Sequence, residues 1–294
     1  MSNAGIDRRP RAAFDAVARS YDASFTHTSV GMALREIVWS RADQVFDAPG
    51  HLLELGCGTG EDAIRFVRKG FKVTATDASS LMIDVARAKA RTAAAGDNLE
   101  FSCVAMEHVA TVFEGQQFDG IFSNFGAINC VANLRALSAN VAAVLAPGAP
   151  LLWVVMGRHV PWEWFWYLAR GKPGKALRRL RSQGAQWRGL TICYPTPAAV
   201  TAVLTPDFAV TRVSPLGCVL PPSYAADWLD RSPRALAALS RIERAAQRSQ
   251  LLANWSDHYI VEARRVCPSQ HARGPAFEPP SRPQAPTDVF FLPK

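Results

Sequence analysis

The most informative segment of the chain reads Leu52-Leu53-Glu54-Leu55-Gly56-Cys57-Gly58-Thr59-Gly60-Glu61-Asp62. Its apolar beginning is typical of a buried strand, and the glycines at alternate positions predict a sharp turn before a helix. A backbone without Cβ atoms also lets a ligand approach closely. The segment therefore predicts a strand–turn–helix unit that binds a nucleoside.

Short apolar strands and helical segments alternate on both sides of this unit. Strands are predicted at 51–55, 71–77, 99–104, 118–124 and 151–156, with helices between them and two more helices before residue 50. Such alternation predicts a parallel sheet that is covered on both faces. Further strands are expected at 191–194, 208–213 and 258–263. The expected fold is α/β, a Rossmann-like doubly wound, mostly parallel sheet with N-terminal helices and a helical insertion after strand five.

The composition excludes a disordered chain and shows where the net positive charge is concentrated. Of 294 residues, 49% are hydrophobic, which is ample for a buried core, and the net charge is +8. Seven Lys and Arg residues lie between Trp164 and Pro206, where there is no Asp or Glu. Without that segment the chain is nearly neutral, so the basic character belongs to the insertion.

The cysteines and the N-terminus indicate a cytoplasmic protein. The six cysteines are scattered without a Cys-x-x-Cys pair, which fits a reducing compartment and argues against a zinc site. Arg8, Arg9 and Arg11 are followed by charged residues rather than by the apolar stretch of an export signal.

The spacing of the glycines and nearby acids narrows the choice of nucleoside. Asp77 ends the second strand, seventeen residues after Gly60, where a carboxylate can accept both hydroxyls of a ribose. Dinucleotide sites use G-x-G-x-x-G, but here the third glycine comes one residue early. Glu61 and Asp62 also place negative charge where a pyrophosphate would lie. A ligand without phosphate is therefore favoured over NAD.

At these residues the chain resembles the class I S-adenosylmethionine-dependent methyltransferases. Glu54-x-Gly56-x-Gly58-x-Gly60 is similar to the first motif of that family, and Asp77 to Met82 is similar to the second. The resemblance covers about residues 12–157 and implies S-adenosyl-L-methionine as cofactor, with Tyr21-Asp22 as part of an N-terminal lid. The cofactor-binding residues that we expect are Tyr21, Glu54, Gly56, Cys57, Gly58, Gly60, Asp77, Ala78, Met82, Met106, Glu107 and Asn124.

Two departures from the family pattern bear on the adenine contact and on the substrate. Ala105 stands where an acid often faces the adenine amine, so this contact is assigned to Met106 and Glu107. The segment from Ser123 to Gly126 lacks the prolines of enzymes that methylate DNA bases. No carboxylate lies between Asp119 and Glu163, where metal-dependent catechol-type relatives need several, so no metal is expected.

On this basis the chain is expected to have five parts. They are an N-terminal helical lid over the cofactor (1–50), a cofactor-binding α/β core (51–157), a helical lid over the substrate (158–190), the remainder of the sheet with helices (191–266) and a proline-rich, disordered tail (267–294).

The insertion after strand five combines dense aromatic residues with cations, and three interpretations stay open. The rings could fill the core while the cations face water, or they could line a planar, apolar substrate pocket whose cations attract an acidic group. The third interpretation is weak contact of residues 162–181 with anionic lipid. Phe125, Trp162 and Trp166 are the candidate substrate contacts.

Methyl transfer to a hydroxyl or amine also needs a general base near strands four and five. His159, just after strand five, is the first candidate, and Tyr194 is the second. His27 is a weaker candidate, whereas His51 and His108 are interpreted as structural.

The leading hypothesis is a methyltransferase that acts on O, N or C of a small hydrophobic metabolite. The cations of the insertion are compatible with an acidic group on that metabolite. A nucleic-acid partner is not expected under this hypothesis. The main alternative is an RNA methyltransferase that uses the basic 164–206 segment for phosphates. A NAD(P)-dependent oxidoreductase and a non-catalytic binding protein are the remaining alternatives.

Overall fold

The computed structural model describes residues 13–267. The N-terminal arginines and all but the first residue of the expected tail (267–294) lie outside this range. The strands are β1 (His51–Leu55), β2 (Lys72–Asp77), β3 (Leu99–Cys103), β4 (Gly120–Ser123), β5 (Pro150–Met156), β6 (Ala185–Trp187), β7 (Leu190–Ile192), β8 (Phe208–Leu216) and β9 (His258–Arg265). The α-helices span Ser29–Val45, Glu61–Arg68, Ser80–Thr92, Val109–Val112, Leu134–Val144, Pro161–Leu168, Pro173–Ala176, Pro197–Leu204, Asp227–Asp230 and Pro233–Ala246.

Seven strands form the main sheet in the order β3-β2-β1-β4-β5-β9-β8. The first five are parallel to one another, and β9 runs antiparallel to both of its neighbours. Parallel neighbours need crossover connections, which the helices between β1 and β5 supply. The predicted α/β fold with a doubly wound, mostly parallel sheet is therefore confirmed.

Local sequence explains where the elements around the site begin. All residues of β1 after His51 are buried, as the apolar run predicts for a central strand. The helices Ser29–Val45 and Ser80–Thr92 start where Thr28 and Ser79 accept hydrogen bonds from backbone N–H groups of the first turn. The crossover helices Glu61–Arg68 and Ser80–Thr92 follow β1 and β2 after short loops, so both begin close to the carboxyl edge of the sheet.

Two segments differ from their predicted structure. The helix expected around Phe14 and Tyr21 is broken into a 3₁₀ turn at Ala18–Ser20 and a π-helical turn at Asp22–Thr26. The strand expected at 191–194 is the second arm of a hairpin, β6–β7, that pairs outside the main sheet. Its two loop residues, Arg188 and Gly189, both have positive φ, as a tight hairpin turn requires.

The insertion expected at 158–190 lies between Met156 and Cys193, and we call this segment the lid. It is helical to residue 180 and then turns into the β6–β7 hairpin. One buried side chain holds its two ends together. The Asn129 amide nitrogen donates to the carbonyls of Met156 (3.2 Å) and Cys193 (2.6 Å), and its oxygen accepts from the Met156 N–H (2.7 Å). The lid therefore enters and leaves the core at one point.

Candidate active site

A cavity of about 800 Å³ opens at the carboxyl edge of the parallel strands, which is where α/β proteins bind their ligands. The N-terminal segment, the loops that follow the first five strands, the lid and the loop near Tyr224 form its walls. Of the twelve expected cofactor contacts, nine line this cavity: Tyr21, Gly56, Gly58, Asp77, Ala78, Met82, Met106, Glu107 and Asn124. Glu54, Cys57 and Gly60 do not line it and lie behind its wall.

The three glycines of the loop have different surroundings. A Cβ on Gly56 would lie 2.3 Å from the Cβ of Ala127, and one on Gly60 would lie 2.9 Å from the Cβ of Ala86. A Cβ on Gly58 would meet no atom within 4 Å and would project into open space, with φ at +52°. Gly56 and Gly60 therefore permit close packing of the loop, while Gly58 leaves its backbone open to a ligand.

Asp77 lies on the cavity wall at the end of β2. Its Oδ2 accepts a hydrogen bond from the Gly58 N–H (2.9 Å), and its Oδ1 accepts one from the Ser79 N–H (2.8 Å). Burial raises the pKa of this carboxyl, while the two N–H donors act to lower it. Each oxygen keeps a further lone pair, so the carboxylate can accept a pair of vicinal hydroxyls.

The N-terminal segment is fastened to the glycine loop. Asp22 accepts a hydrogen bond from the Thr59 hydroxyl (2.6 Å) and pairs with Lys89 (2.6 Å). Burial acts to raise the pKa of Asp22, but the hydrogen bonds and charge of Lys89 and the Thr59 hydroxyl bring it below its ordinary value. Tyr21, the preceding residue, lines the cavity, and burial raises the pKa of its phenol to about 12. This contact fits the expected N-terminal lid over the cofactor.

The acids that follow the glycine loop are both paired. Asp62 is buried and accepts hydrogen bonds from Arg35, from the Trp39 indole (2.6 Å) and from the Asn124 amide (2.9 Å). Glu61 pairs with Lys89 (3.1 Å). Both acids lie at the helix start, where the sequence places negative charge, and cations from distant segments pair with them. Asp62 also orients Asn124 on the cavity wall.

Phe125, a candidate substrate contact, lines the cavity next to Asn124. Its φ is +44°, an unusual value for a residue with a side chain, and such strain concentrates at functional sites. The ring is held edge-on against Phe25, with centroids 4.8 Å apart, and lies under the guanidinium of Arg35. A wall fixed in this way presents a rigid aromatic surface to a ligand.

The two tryptophans expected to contact substrate lie away from the cavity. The Trp162 indole donates to the carbonyl of Val219 (3.1 Å), and the Trp166 ring is covered by the Arg170 guanidinium. Tyr167 lines the cavity instead, together with Trp187, Tyr194 and Tyr224. Tyr167 follows the buried Glu163 by one helical turn, so a helical reading of the insertion would have placed both on its inner face.

A buried ionic cluster lies beside these aromatic residues. Glu163 pairs with Arg178 (2.9 Å) and with Arg179 (2.7 Å), and Arg179 also pairs with Asp257 (2.7 Å). Although burial acts to raise it, the charges of Arg179 and His258 hold the pKa of Asp257 well below its usual range. Arg179 is therefore paired on several sides, and the interpretation in which the cations face water does not apply to it.

Arg178 and Arg179 both line the cavity, but Arg178 differs because only its Nε is paired, with Glu163. Within residues 13–267 its two terminal nitrogens have no hydrogen-bond partner. A guanidinium in this state can bind a carboxylate or another anion in two-point geometry.

The candidate bases separate clearly. His159 lies outside the cavity, where its ring packs between Trp164 and Trp255 and its Nδ1 contacts the carbonyl of Asn254 (3.2 Å). Tyr194 lines the cavity, but burial raises the pKa of its phenol, so at neutral pH it is a hydrogen-bond donor. His108, interpreted as structural, is the histidine that lines the cavity.

Neither a cluster of metal ligands nor a membrane-spanning helix occurs in the part of the chain that the structure describes. Across residues 13–267 no three His, Cys, Asp or Glu side chains are grouped so that they could hold a metal ion. Over the same range, no helix combines the length and the apolar character needed to cross a bilayer.

The strand order, the glycine loop and the acid at the end of β2 are together typical of Rossmann-like methyltransferases. Residues 52–148 match the family model described as a methyltransferase domain. The chain therefore carries a methyltransferase domain of the class I S-adenosylmethionine-dependent type, as its motifs predict, and S-adenosyl-L-methionine is the cofactor that goes with it.

Curated relatives are similar to this chain over about half of its length. The tRNA 5-carboxymethoxyuridine methyltransferase of Escherichia coli (strain K12) is 29% identical over 150 residues, which are 50% of this chain and 57% of the relative. The demethylmenaquinone methyltransferase of Mycobacterium tuberculosis (strain H37Rv) is 32% identical over 158 residues, 52% of this chain and 62% of the relative. The chain thus matches less than two thirds of either relative's length.

Among solved structures, the N-methyltransferase NodS from Bradyrhizobium japonicum WM9, in complex with S-adenosyl-L-homocysteine, has the same fold. The TM-score is 0.55 at 12% identity, over 87% of this chain and 98% of that chain. The likeness extends well beyond residue 148 and so includes the strands that complete the sheet.

Proposed function

We propose that the protein is a methyltransferase that moves the methyl group of S-adenosyl-L-methionine to a small, hydrophobic and acidic metabolite. The observation that carries this proposal is one cavity with two different ends. The glycine loop and Asp77 form one end, and tyrosines with Arg178 form the other. A nucleoside cofactor and an apolar anion would each find suitable groups.

At the cofactor end, the assignment rests on shape and on hydrogen-bond acceptors. Gly58 leaves its backbone open, Asp77 can accept two hydroxyls, and Tyr21 would cover the ligand from the N-terminal segment. Met82, Met106 and Glu107 would lie around the base. When bound, the cofactor supplies an electrophilic methyl group on a sulfonium, with its homocysteine thioether as the leaving group.

At the substrate end, the chain would mainly position the acceptor. Arg178 would bind its acidic group, while Phe125, Tyr167 and Tyr224 would pack against its apolar part. Holding two reactants in line removes much of the entropic cost of the reaction. The Tyr194 phenol would donate a hydrogen bond to the acceptor, whereas His108 follows Glu107 and would lie near the base of the cofactor.

Titration calorimetry with S-adenosyl-L-homocysteine and, separately, with NADH tests the cofactor assignment. We expect micromolar binding of S-adenosyl-L-homocysteine and none of NADH. Binding of NADH alone would overturn the proposal in favour of an oxidoreductase. Transfer of labelled methyl groups to aromatic acids, compared with the matching amides, then tests the acceptor class.

A second candidate function is methylation of RNA. It is favoured by the named activity of the E. coli relative and by the seven cations between residues 164 and 206. It requires tRNA binding that weakens steeply with salt, because each phosphate contact releases counterions. Labelled methyl transfer to bulk tRNA, with no transfer to small acids, would replace the first proposal with this one. A cytoplasmic location is part of both proposals and is supported by the scattered cysteines.

A further inference from the structure

The outer face of the lid has an unusual distribution of polarity. The helix Pro161–Leu168 buries its acid, Glu163, which is 1% exposed, and turns Phe165 and Leu168 outward, 70% and 53% exposed. A surface helix of a water-soluble domain normally has the opposite arrangement. Because the buried Glu163 is paired with Arg178 and Arg179, the helix is fixed in this orientation and cannot turn its apolar side inward.

The chain that follows adds cations around this apolar face. The N–H groups of Gly171 and Lys172 donate to the carbonyls of Leu168 (3.0 Å) and Tyr167 (2.9 Å), which folds the chain back at the end of the helix. This turn places the exposed Arg170 and Lys172 beside Leu168. The next helix contributes the exposed Lys175 and Leu177.

We propose that this outer face, formed by Phe165, Leu168 and Leu177 with Arg170, Lys172 and Lys175, docks on an anionic phospholipid bilayer. Apolar side chains would enter the boundary between headgroups and acyl chains, and the cations would meet the negative headgroups. Charge complementarity supports this partner, since Arg170, Lys172 and Lys175 are exposed and no acid lies between residues 164 and 206.

The same features argue against two other occupants. A second copy of the chain in a two-fold contact would bring the same cations against each other, which costs free energy. Single-stranded RNA is held by successive rings on which its bases stack. Phe165 is the one ring among the apolar residues of this face, because Leu168 and Leu177 have none, and the nearby Trp166 ring is covered by Arg170.

Docking would also bring the cavity close to the bilayer. Tyr167, on the inner face of the helix, lines the cavity, while Phe165 and Leu168 on the outer face would touch lipid. A metabolite with an apolar part could then pass from the membrane boundary into the cavity. This last step alone rests on the proposed function.

Vesicle flotation of the full chain tests the proposal. The vesicles are phosphatidylcholine alone and phosphatidylcholine with 30% phosphatidylglycerol. The variants are Phe165→Ser with Leu168→Ser, Lys172→Ser with Lys175→Ser, and a control, Arg68→Ser with Arg91→Ser. The control removes the same charge from the carboxyl ends of two crossover helices, at the edge of the sheet opposite the cavity.

We expect the wild type to float with anionic vesicles and not with neutral ones. Removing the two lysines should lower the partition coefficient roughly 10- to 30-fold at low salt, since each cation near the surface contributes about a fivefold factor. The apolar variant should lose at least as much, and the control less than threefold. The affinity for S-adenosyl-L-homocysteine should stay within twofold of wild type in all variants. This measurement shows, independently of vesicle binding, that each variant is folded and keeps its cofactor site.

Failure of the wild type to float with anionic vesicles would overturn the proposal. So would equal loss in the control variant, which would mean a diffuse charge effect. Binding of a 20-nucleotide oligouridylate that depends on Lys172 and Lys175, without flotation, would assign the face to RNA. A dimer in gel filtration that the Phe165→Ser, Leu168→Ser variant dissociates would assign it to self-association.

Discussion

The glycine-loop end of the cavity is shaped mainly by backbone, whereas the lid end is shaped by side chains from distant parts of the chain. Gly56, Gly58 and Asp77 act within one strand–turn–helix unit and the strand beside it. Arg179 joins Glu163 to Asp257, which lies 78 residues further along the chain. The first end therefore depends on local conformation, and the second depends on the completed fold.

This difference implies that the two ends can be damaged separately. Substitutions at the cofactor end should change ligand affinity or local packing, while breaking the ionic cluster at the lid should change the stability of the folded lid. The following variants test that separation.

Arg179→Met should have the largest effect, because it leaves the buried charges of Glu163 and Asp257 without their shared partner. Loss of one member of a buried ion pair costs about 3–5 kcal/mol. Urea unfolding should report this loss, and the control Arg181→Met, on an exposed neighbour, should change the unfolding free energy by less than about 0.5 kcal/mol. Equal losses in both variants would show that the cluster does not stabilise the lid.

Gly56→Ala should destabilise the protein by about 2–4 kcal/mol, since it adds left-handed backbone strain to a collision with Ala127. Gly58→Ala should cost only the strain, about 1–2 kcal/mol, as should the control Gly115→Ala, which is equally open. Gly58→Ala should weaken S-adenosyl-L-homocysteine binding more than tenfold, whereas Gly115→Ala should leave it unchanged. Normal affinity in Gly58→Ala would mean that the ligand does not approach the loop.

Asp22→Asn should loosen the N-terminal segment from the glycine loop and cost about 1.5–3 kcal/mol, a typical value for hydrogen bonds to a charged group. Since the pKa of Asp22 is lowered in the folded state, its stabilisation is fully present above the unfolded pKa of about 3.9 and is lost as pH falls through the lowered value. The difference from wild type in unfolding free energy should thus be constant from about pH 8 to pH 5 and shrink below about pH 4.

The control for the contacts of Asp22 with Thr59 and Lys89 is Asp84→Asn, which removes an exposed carboxylate from the helix Ser80–Thr92. Its stability should match wild type, and so should its affinity for S-adenosyl-L-homocysteine. Asp22→Asn should weaken that affinity about tenfold. If the two variants bind the ligand equally well, Tyr21 does not cover the cofactor.

Arg178→Gln should have the smallest effect on folding, below about 1 kcal/mol, because Arg179 still compensates Glu163. It should raise KM for an acidic acceptor about tenfold while leaving the matching amide and S-adenosyl-L-homocysteine affinity unchanged. Equal effects on acid and amide acceptors would show that Arg178 does not recognise the acidic group of the substrate. The interpretation in which the lid cations face solvent would then hold for Arg178.

Sequence patterns were sufficient for the core because its determinants are local. The bounds of β1 agree with the apolar run from His51 to Leu55, and the position of Asp77 follows from the end of β2. The pairing of Asp62 with Arg35 could not be read from spacing, since two helices have to pack before the groups meet. In the lid, the Arg188-Gly189 turn lacks the asparagine or aspartate that usually signals such a hairpin. The position of His159 likewise depends on Trp255, which comes from a distant segment.

The single amide of Asn129 that closes the base of the lid also bears on how such a protein can change. Because Met156 and Cys193 meet at that side chain, the whole segment between them can be exchanged for another of different length without re-registering a strand. The lid is thus a natural unit for grafting, and a chimaera that keeps Asn129 should retain cofactor binding while it acquires a different acceptor range.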